Sequence, residues 1–418
     1  MNANDSNLKT WAEVPKNSDF PIQNLPFGIF STAKKSVRVG VAIGNKIVDL
    51  VELSKSGLIE VDNELVENQY LNDLMALGRP FATKLRNRIA ELLSENNDEL
   101  KDSVHRGNVM VNMKQATMHM PVKVGDYTDF YSSEDHARNV GTMFRDPDNA
   151  LLPNWKHLPV GYHGRASSIV VSPAEIHRPK GQTKADDADA PSFGPSRLVD
   201  FELEMAFITC KQTKLGESIP IEEAEDAIWG MVIFNDLSAR DLQKWEYVPL
   251  GPFLAKSFGS VISPWVVTMD ALEPFRTKGY NQKPEVLPYL KPNKDANFDI
   301  KLEVALQPEN GKSHVICNSN YKYMYWNMNQ QLTHQTVNGC NINVGDMYAS
   351  GTISGPDEKE YGSMLELSWR GTKPIQMPDG SERKFMQDGD TCIMRGYAEK
   401  DGVRIGFGES VVKILPAL

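Results

Sequence analysis

The sequence predicts a mixed α+β protein that is mainly β, and three observations predict it. Short segments with period-2 apolar alternation recur along most of the chain. Few long amphipathic stretches lie between them to serve as crossover helices. Turn residues punctuate the intervals. A parallel, doubly wound sheet needs a helix after nearly every strand, so this pattern favours antiparallel sheets. At 418 residues the chain exceeds one ordinary domain, and two units are expected.

Taken in order, Met1 to Phe20 is polar and carries both charge signs. It lacks the basic start, apolar middle and small-residue cleavage site of a secretory signal, so a cytoplasmic location is expected. Val37–Ile43 alternates, Gly44-Asn45 turns the chain, and Lys46–Leu50 returns, which is a hairpin signal. Pro80 opens a helical pattern with Phe81, Leu85, Ile89, Leu92 and Leu93 on one face. A boundary follows between Met113 and Met120, dividing the chain into 1–118 and 119–418. Beyond it, strands are expected at Ser168–Val171, Phe201–Thr209, Gly230–Asn235, Val261–Thr268, Asp299–Leu306 and Met364–Trp369. Long loops are expected at Arg178–Arg197, Glu273–Asn297 and Thr352–Gly362, and loops of that length are commonly functional. One helix stands out from about Tyr321 to Thr336, closed by Asn338-Gly339.

Composition excludes several classes of function. Hydrophobic residues make up 40% and charged residues 24%, which suits a globular enzyme with a large core. No apolar run reaches the roughly 18 residues of a membrane span. The net charge is −10 without a basic stripe, which argues against nucleic acid. The four cysteines, Cys210, Cys317, Cys340 and Cys392, are too dispersed for a zinc clamp.

The most informative strand is Phe201-Glu-Leu-Glu-Met-Ala-Phe207. Side chains alternate across a strand, so Glu202 and Glu204 share one face. Adjacent like charges repel unless solvent or a cation separates them. Two readings follow: a solvated outer face, or ligands for a hard divalent cation, which takes several oxygens at roughly 2.0–2.6 Å. Asp236 ends the apolar run Met231–Asp236 and Asp129 precedes a predicted helix; each is either a turn or helix-entry residue or a further oxygen donor.

Eight histidines include no tight metal pair. Ser132 or Ser133 can cap a helix that His136 enters in its first turn. The positive end of a helix disfavours an imidazolium, which leaves a neutral ring able to accept a proton. His163, between Tyr162 and Gly164 in Gly161-Tyr-His-Gly-Arg165, is the rival candidate for a base.

Long ordered strings extend these fragments. They include Asp19–Pro26, Gly125-Asp-Tyr-Thr-Asp-Phe-Tyr-Ser-Ser133, Ala150–Trp155, His157–Ser168, Gln243–Leu254, Asn338-Gly-Cys340, Ala349–Gly355 and Gly362–Trp369. From about residue 19 to Leu418 the chain resembles the fumarylacetoacetase (fumarylacetoacetate hydrolase) family. The resemblance implies an N-terminal SH3-like barrel, a C-terminal β-roll and a homodimer. It implies hydrolysis of the carbon–carbon bond of 4-fumarylacetoacetate to fumarate and acetoacetate, the last step of tyrosine and phenylalanine breakdown. The substrate is then a small β-diketone dicarboxylate.

Carried onto this sequence, the resemblance makes Asp129, Glu202, Glu204 and Asp236 a Ca²⁺ site, which Mg²⁺ or Mn²⁺ could also fill. It makes His136 the general base and Glu366 its orienting partner. Arg240, Gln243 and Lys256 fall at oxyanion-stabilising positions, and Tyr131, Arg145, Gln243, Tyr247 and Thr352 at substrate-contacting ones. A second cation, Mg²⁺, is implied at Asp236, Lys256 and Ser260, where serine stands at a position the family fills with threonine. Leu237 replaces a tryptophan of the animal members. Two competing readings are an acylpyruvate hydrolase or other diketone-acid hydrolase or decarboxylase of the same superfamily, and a non-catalytic metal-binding protein on the same scaffold.

Overall fold

A computed structural model describes all residues, 1–418. The fold is mixed α+β and dominated by sheets. In the first unit Phe27–Thr32, Lys35–Ile43, Lys46–Asp49, Met110–Asn112 and Thr117–His119 form a five-stranded sheet. The expected hairpin is there, with Ile43 paired to Lys46 around Gly44, whose φ is +52°. The expected helix runs over Gly78–Leu93, two residues ahead of Pro80, and buries Leu85, Ile89, Leu92 and Leu93.

Two larger sheets build the rest. One has eight strands, with Tyr127–Phe130, Met347–Ala349, Leu203–Thr209, Ile228–Asp236 and Ser260–Ile262 side by side at its centre. The other orders His314–Asn320, Lys301–Gln307, Thr391–Lys400, Val403–Leu415 and Ala174–His177. Pairing is mostly antiparallel, with parallel joints where Tyr127–Phe130 meets Met347–Ala349, where Ile169–Val171 meets Ser260–Ile262 and where Ala174–His177 meets Val403–Leu415.

Alternation assigns the two faces of the central strands to different partners. Leu203, Met205, Phe207, Met231 and Ile233 enter the core shared with the second sheet. Ala206, Ile208, Val232 and Phe234 face the other way, into one continuous core with Phe27, Val39, Leu50, Ile89 and Leu92 of the first unit. Phe27 crowns the junction: its ring meets Trp229 edge-on at 5.2 Å, and its backbone bridges Val266. Glu202, Glu204 and Asp236 occupy that second face at the strand ends, where the shared core gives way to charge.

Four expected elements differ. Met364–Leu367 is a helical turn, not a strand. Ser363 caps it by accepting the Glu366 N–H, and Met364, Leu365 and Glu366 are all buried, so the apparent alternation reflected no two-faced strand. The helix expected from Tyr321 starts at Met328, because Asn327 and Gln330 form a reciprocal capping box there. Tyr321–Tyr323 is a separate 3₁₀ turn. Val261–Thr268 splits into Ser260–Ile262 and Val267–Thr268 around Pro264, which has no N–H to donate. The loop expected at Arg178–Arg197 contains a hairpin, Lys180–Thr183 with Ser192–Pro195.

Candidate active site

Four acids from separate elements converge. Asp129 comes from the strand Tyr127–Phe130, Asp236 ends Ile228–Asp236, and Glu202 and Glu204 flank the start of Leu203–Thr209. Each offers a carboxylate oxygen, and these oxygens lie within 4.8 Å of one another. All four residues are buried. Lys256 Nζ donates to Asp236 Oδ2 at 2.8 Å and also to Glu202. Ser260 Oγ donates to Asp236 Oδ1 at 2.8 Å, and the Tyr162 hydroxyl to Asp236 Oδ2 at 3.2 Å.

The balance of charge is incomplete. Burial pushes the carboxyls of Asp129 and Glu204 well above their usual range, and neighbouring acids push them further. Glu202 also suffers burial, but Lys256 and Arg240 outweigh it and hold its carboxyl low. Asp129 Oδ1 and Glu204 Oε1 are buried with no hydrogen-bond partner. Buried acceptors without donors are costly, and oxygen-only donor sets of this kind suit a hard divalent cation. The residues therefore fit such an ion.

Beside the acids lies an imidazole. Ser133 caps the helix Glu134–Phe144 by accepting the His136 N–H, which sets His136 in the first turn. His136 Nδ1 lies 2.7 Å from Glu366 Oε2. Glu366 is held by Ser363 Oγ at 2.8 Å, Asn139 Nδ2 at 2.9 Å and Ser354 Oγ at 2.9 Å. Burial opposes ionisation of Glu366, but the facing imidazole and these donors outweigh it and lower its pKa. An ionised carboxylate only accepts, so Nδ1 is the donor, and in the neutral ring the lone pair falls on Nε2. The ring of Tyr131 meets the imidazole edge-on at 5.2 Å.

Acids, imidazole and cations line one cavity of about 430 Å³. Asp129, Glu202, His136, Lys256, Tyr131 and Thr352 lie on its wall. So do Arg240, Gln243 and Tyr247, whose i, i+3, i+7 spacing puts them on one face of the helix beginning at Arg240. Arg240 Nη1 reaches Glu202 Oε1 at 2.8 Å and Gln243 Oε1 at 3.2 Å, while Nη2 is buried without a partner. Glu204, Asp236, Ser260 and Glu366 lie behind that lining, each in contact with the acid cluster or His136, whereas Arg145 stands apart. It is exposed, sits outside the cavity lining and donates to the Ala150 carbonyl at 2.6 Å. His163 also lies outside, exposed and 3.4 Å from Thr128 Oγ1. The strand Gly161–His163 turns Tyr162 inward and His163 outward. Sequence reasoning missed Tyr162, Asn139 and Ser354, and alternation within Gly161-Tyr-His163 is the signal that could have found the first.

Comparisons with known proteins agree with this architecture. The family model described as "Fumarylacetoacetate (FAA) hydrolase C-terminal" matches residues 126–412, and "Fumarylacetoacetase N-terminal" matches residues 23–121. The chain is 54% identical to the fumarylacetoacetase of Caenorhabditis elegans, over 98% of this chain and 100% of that one. It is 53% identical to that of Homo sapiens, over 97% and 98% of the two chains. Among solved structures, a fumarylacetoacetate hydrolase from Exiguobacterium antarcticum superposes with a TM-score of 0.53 at 17% identity. It covers 94% of this chain and 99% of its own. With both family models matched in order across nearly its whole length, the chain belongs to the fumarylacetoacetate hydrolase family.

Proposed function

We propose that the protein hydrolyses 4-fumarylacetoacetate to fumarate and acetoacetate, as a hydrolase of carbon–carbon bonds in ketonic substances. This is the last step of tyrosine and phenylalanine breakdown. The observation that carries the reading is His136, backed by Glu366, on one cavity wall with Asp129, Glu202, Arg240 and Lys256. The identity to eukaryotic fumarylacetoacetases over nearly full length supports the substrate.

His136 Nε2 takes a proton from water, and Glu366 aligns the ring and stabilises the imidazolium. General-base assistance of this kind is worth about 10²–10⁴-fold. The hydroxide attacks the ketone carbon adjoining the fumaryl group. Arg240 Nη2, Lys256 and Gln243 face the oxyanion that forms, where losing one donor costs roughly 2.7–4 kcal/mol. The carbon–carbon bond then breaks, and His136 returns its proton to the acetoacetate enolate. Tyr131, Tyr247 and Thr352 hold the substrate, and Arg145 joins them by releasing the Ala150 carbonyl. Asp129, Glu202, Glu204 and Asp236 would hold a divalent cation, which would supply Lewis acidity when bound. Ca²⁺ is the proposed ion, with Mg²⁺ or Mn²⁺ as substitutes, and a second ion, Mg²⁺, would be held at Asp236, Lys256 and Ser260.

The finer architecture follows the same reading. Residues 1–118 form an SH3-like barrel with flanking helices and 119–418 a catalytic β-roll. In support, Thr117 and Met118 still pair with Ser31 and Phe30 of the first sheet, and His119, paired with Ile29, carries that pairing one residue past the proposed boundary. A homodimer is proposed, and the exposed Trp245, Val248, Leu250, Phe253 and Phe193 support it as apolar surface in need of cover. No helix is long and apolar enough to cross a membrane, and a cytoplasmic location with no nucleic-acid partner completes the proposal.

The test is a substrate panel with His136→Ala and chelator arms. Fumarylacetoacetate should turn over well ahead of acylpyruvates, and the variant should lose turnover while binding Mn²⁺ normally. Full activity in His136→Ala would refute the base, and a preference for acylpyruvates would refute the substrate.

A further inference from the structure

Two residues before Glu202 lies a buried acid to which the reaction above gives no task. Asp200 is fully buried and lies outside the cavity lining. Its Oδ1 accepts the backbone N–H of Met364 at 2.7 Å. Its Oδ2 accepts the N–H of Leu365 at 3.0 Å and Nε of Arg240 at 2.9 Å. One carboxylate thus grips both the turn that carries Glu366 and the guanidinium on the cavity wall.

The topology explains the placement. Val199–Asp200 pairs antiparallel with Ser238–Ala239, so Asp200 sits opposite Ser238, and the Arg240 N–H donates to the Leu198 carbonyl at 2.9 Å. Charge-assisted hydrogen bonds are about twice as strong as neutral ones, and a buried charge that loses a partner is heavily penalised. The contact on Nε fixes one edge of the guanidinium and leaves Nη2, buried and unpartnered, for the cavity. The contacts to Met364 and Leu365 fix the turn from which Glu366 meets His136 at 2.7 Å.

We infer that Asp200 is a positioning residue that holds Arg240 and the Glu366–His136 pair in mutual register. Proton removal and oxyanion stabilisation then act on the same carbonyl. The inference rests on the reading of His136 as base and Arg240 as oxyanion donor, and Asp200 itself touches no substrate.

Asp200→Asn keeps the shape but sets an amide against three donors. In the full-length, metal-replete enzyme, kcat is expected to fall about 10²-fold, since small misplacements of catalytic groups cost that much. KM and Mn²⁺ affinity, read by electron paramagnetic resonance titration, are expected to change less than about threefold. Combined with Arg240→Gln, the loss in kcat should fall short of the product of the single losses by about tenfold or more. Wild-type kcat in Asp200→Asn, or losses that multiply, overturns the role of Asp200 while His136→Ala and Arg240→Gln remain impaired. Unimpaired His136→Ala and Arg240→Gln overturn the reading of the site itself. Should the Asn variant not fold, Asp200→Glu reads the same link, because it keeps the charge and leaves Arg240 whole but displaces the carboxylate by one methylene. Its kcat should drop at least about 30-fold with KM little changed, and wild-type kcat there overturns the link.

Discussion

At the scale of single residues, the tautomer of His136 is set by its neighbour. Glu366 accepts at Nδ1, which leaves Nε2 as the basic atom facing the cavity. Glu366→Gln replaces an acceptor by a group that can donate, so the ring can adopt the wrong tautomer. Steady-state kinetics should show kcat reduced about 10³–10⁴-fold with KM little changed, as when a carboxylate that orients a catalytic histidine is amidated.

The buried acids give a second prediction with a definite sign. Asp129 and Glu204 have pKa values raised above 3.8 and 4.5 in the metal-free protein, burial being the larger cause. A raised acid binds more protons folded than unfolded, so its stability is present at low pH and is lost as pH rises above those ordinary values. Scanning calorimetry of chelator-treated protein should therefore show a midpoint that falls, relative to the Ca²⁺-loaded protein, as pH rises above the ordinary carboxylate range. Calorimetric Ca²⁺ binding should release protons over the same range. A metal-free midpoint that rises in parallel with the loaded one would count against the site.

How much of the site the sequence revealed depends on how local the signal is. Glu202 and Glu204 were legible because alternation is a property of one strand. The helix-entry position of His136 was legible because a serine cap sits three residues before it. Arg240, Gln243, Lys256 and Glu366 came from resemblance alone, since the cavity that Arg240 and Gln243 line and the acids and imidazole that Lys256 and Glu366 meet are assembled from distant segments. Tyr162 was not legible because a neutral phenol next to His163 shows no pattern until the strand turns it toward Asp236. Asp200 carried no local signal, as its three donors belong to residues 40 and more than 160 positions away.

At the scale of elements, the short link after Met347–Ala349 joins two acids of the buried cluster. Gly351 has φ +77°, and a Cβ there would meet the Phe130 carbonyl oxygen at 2.2 Å. Its N–H donates to Glu204 Oε2 at 2.9 Å. Gly351→Ala would push Tyr127–Phe130, and Asp129 with it, away from Glu204. Urea unfolding should register a loss of about 1–3 kcal/mol, and Mn²⁺ titration should register weakened binding. Unchanged values in both would show that the link yields without moving Asp129. The elements misread from sequence fail for a related reason. Met364–Leu367 alternates in letters, yet its conformation is set by Ser363 and Asp200, partners that periodicity does not see.

At the scale of the whole molecule, the first unit and the central sheet share a single apolar core. The unit behind Ala206, Ile208, Val232 and Phe234 braces the strands whose ends carry Glu204 and Asp236. Calorimetry should accordingly give one unfolding transition, and Phe27→Ala should cost about 3–5 kcal/mol of global stability. Two separated transitions would show the units to be independent. The sequence disclosed two units and their sheet content, because those follow from patterning within each segment. It did not disclose the common core, because Phe27 and Trp229 are each unremarkable apolar residues until folding brings them together.

That common core determines how distant substitutions should be felt. A change at Leu50 or Ile89 touches neither water, ketone nor ion, so each surviving copy should turn over at the normal rate. The number of surviving copies is what should fall. Variants of the first hundred residues should thus show up as a shortage of protein in the cell, and variants around the cavity as abundant protein that is slow.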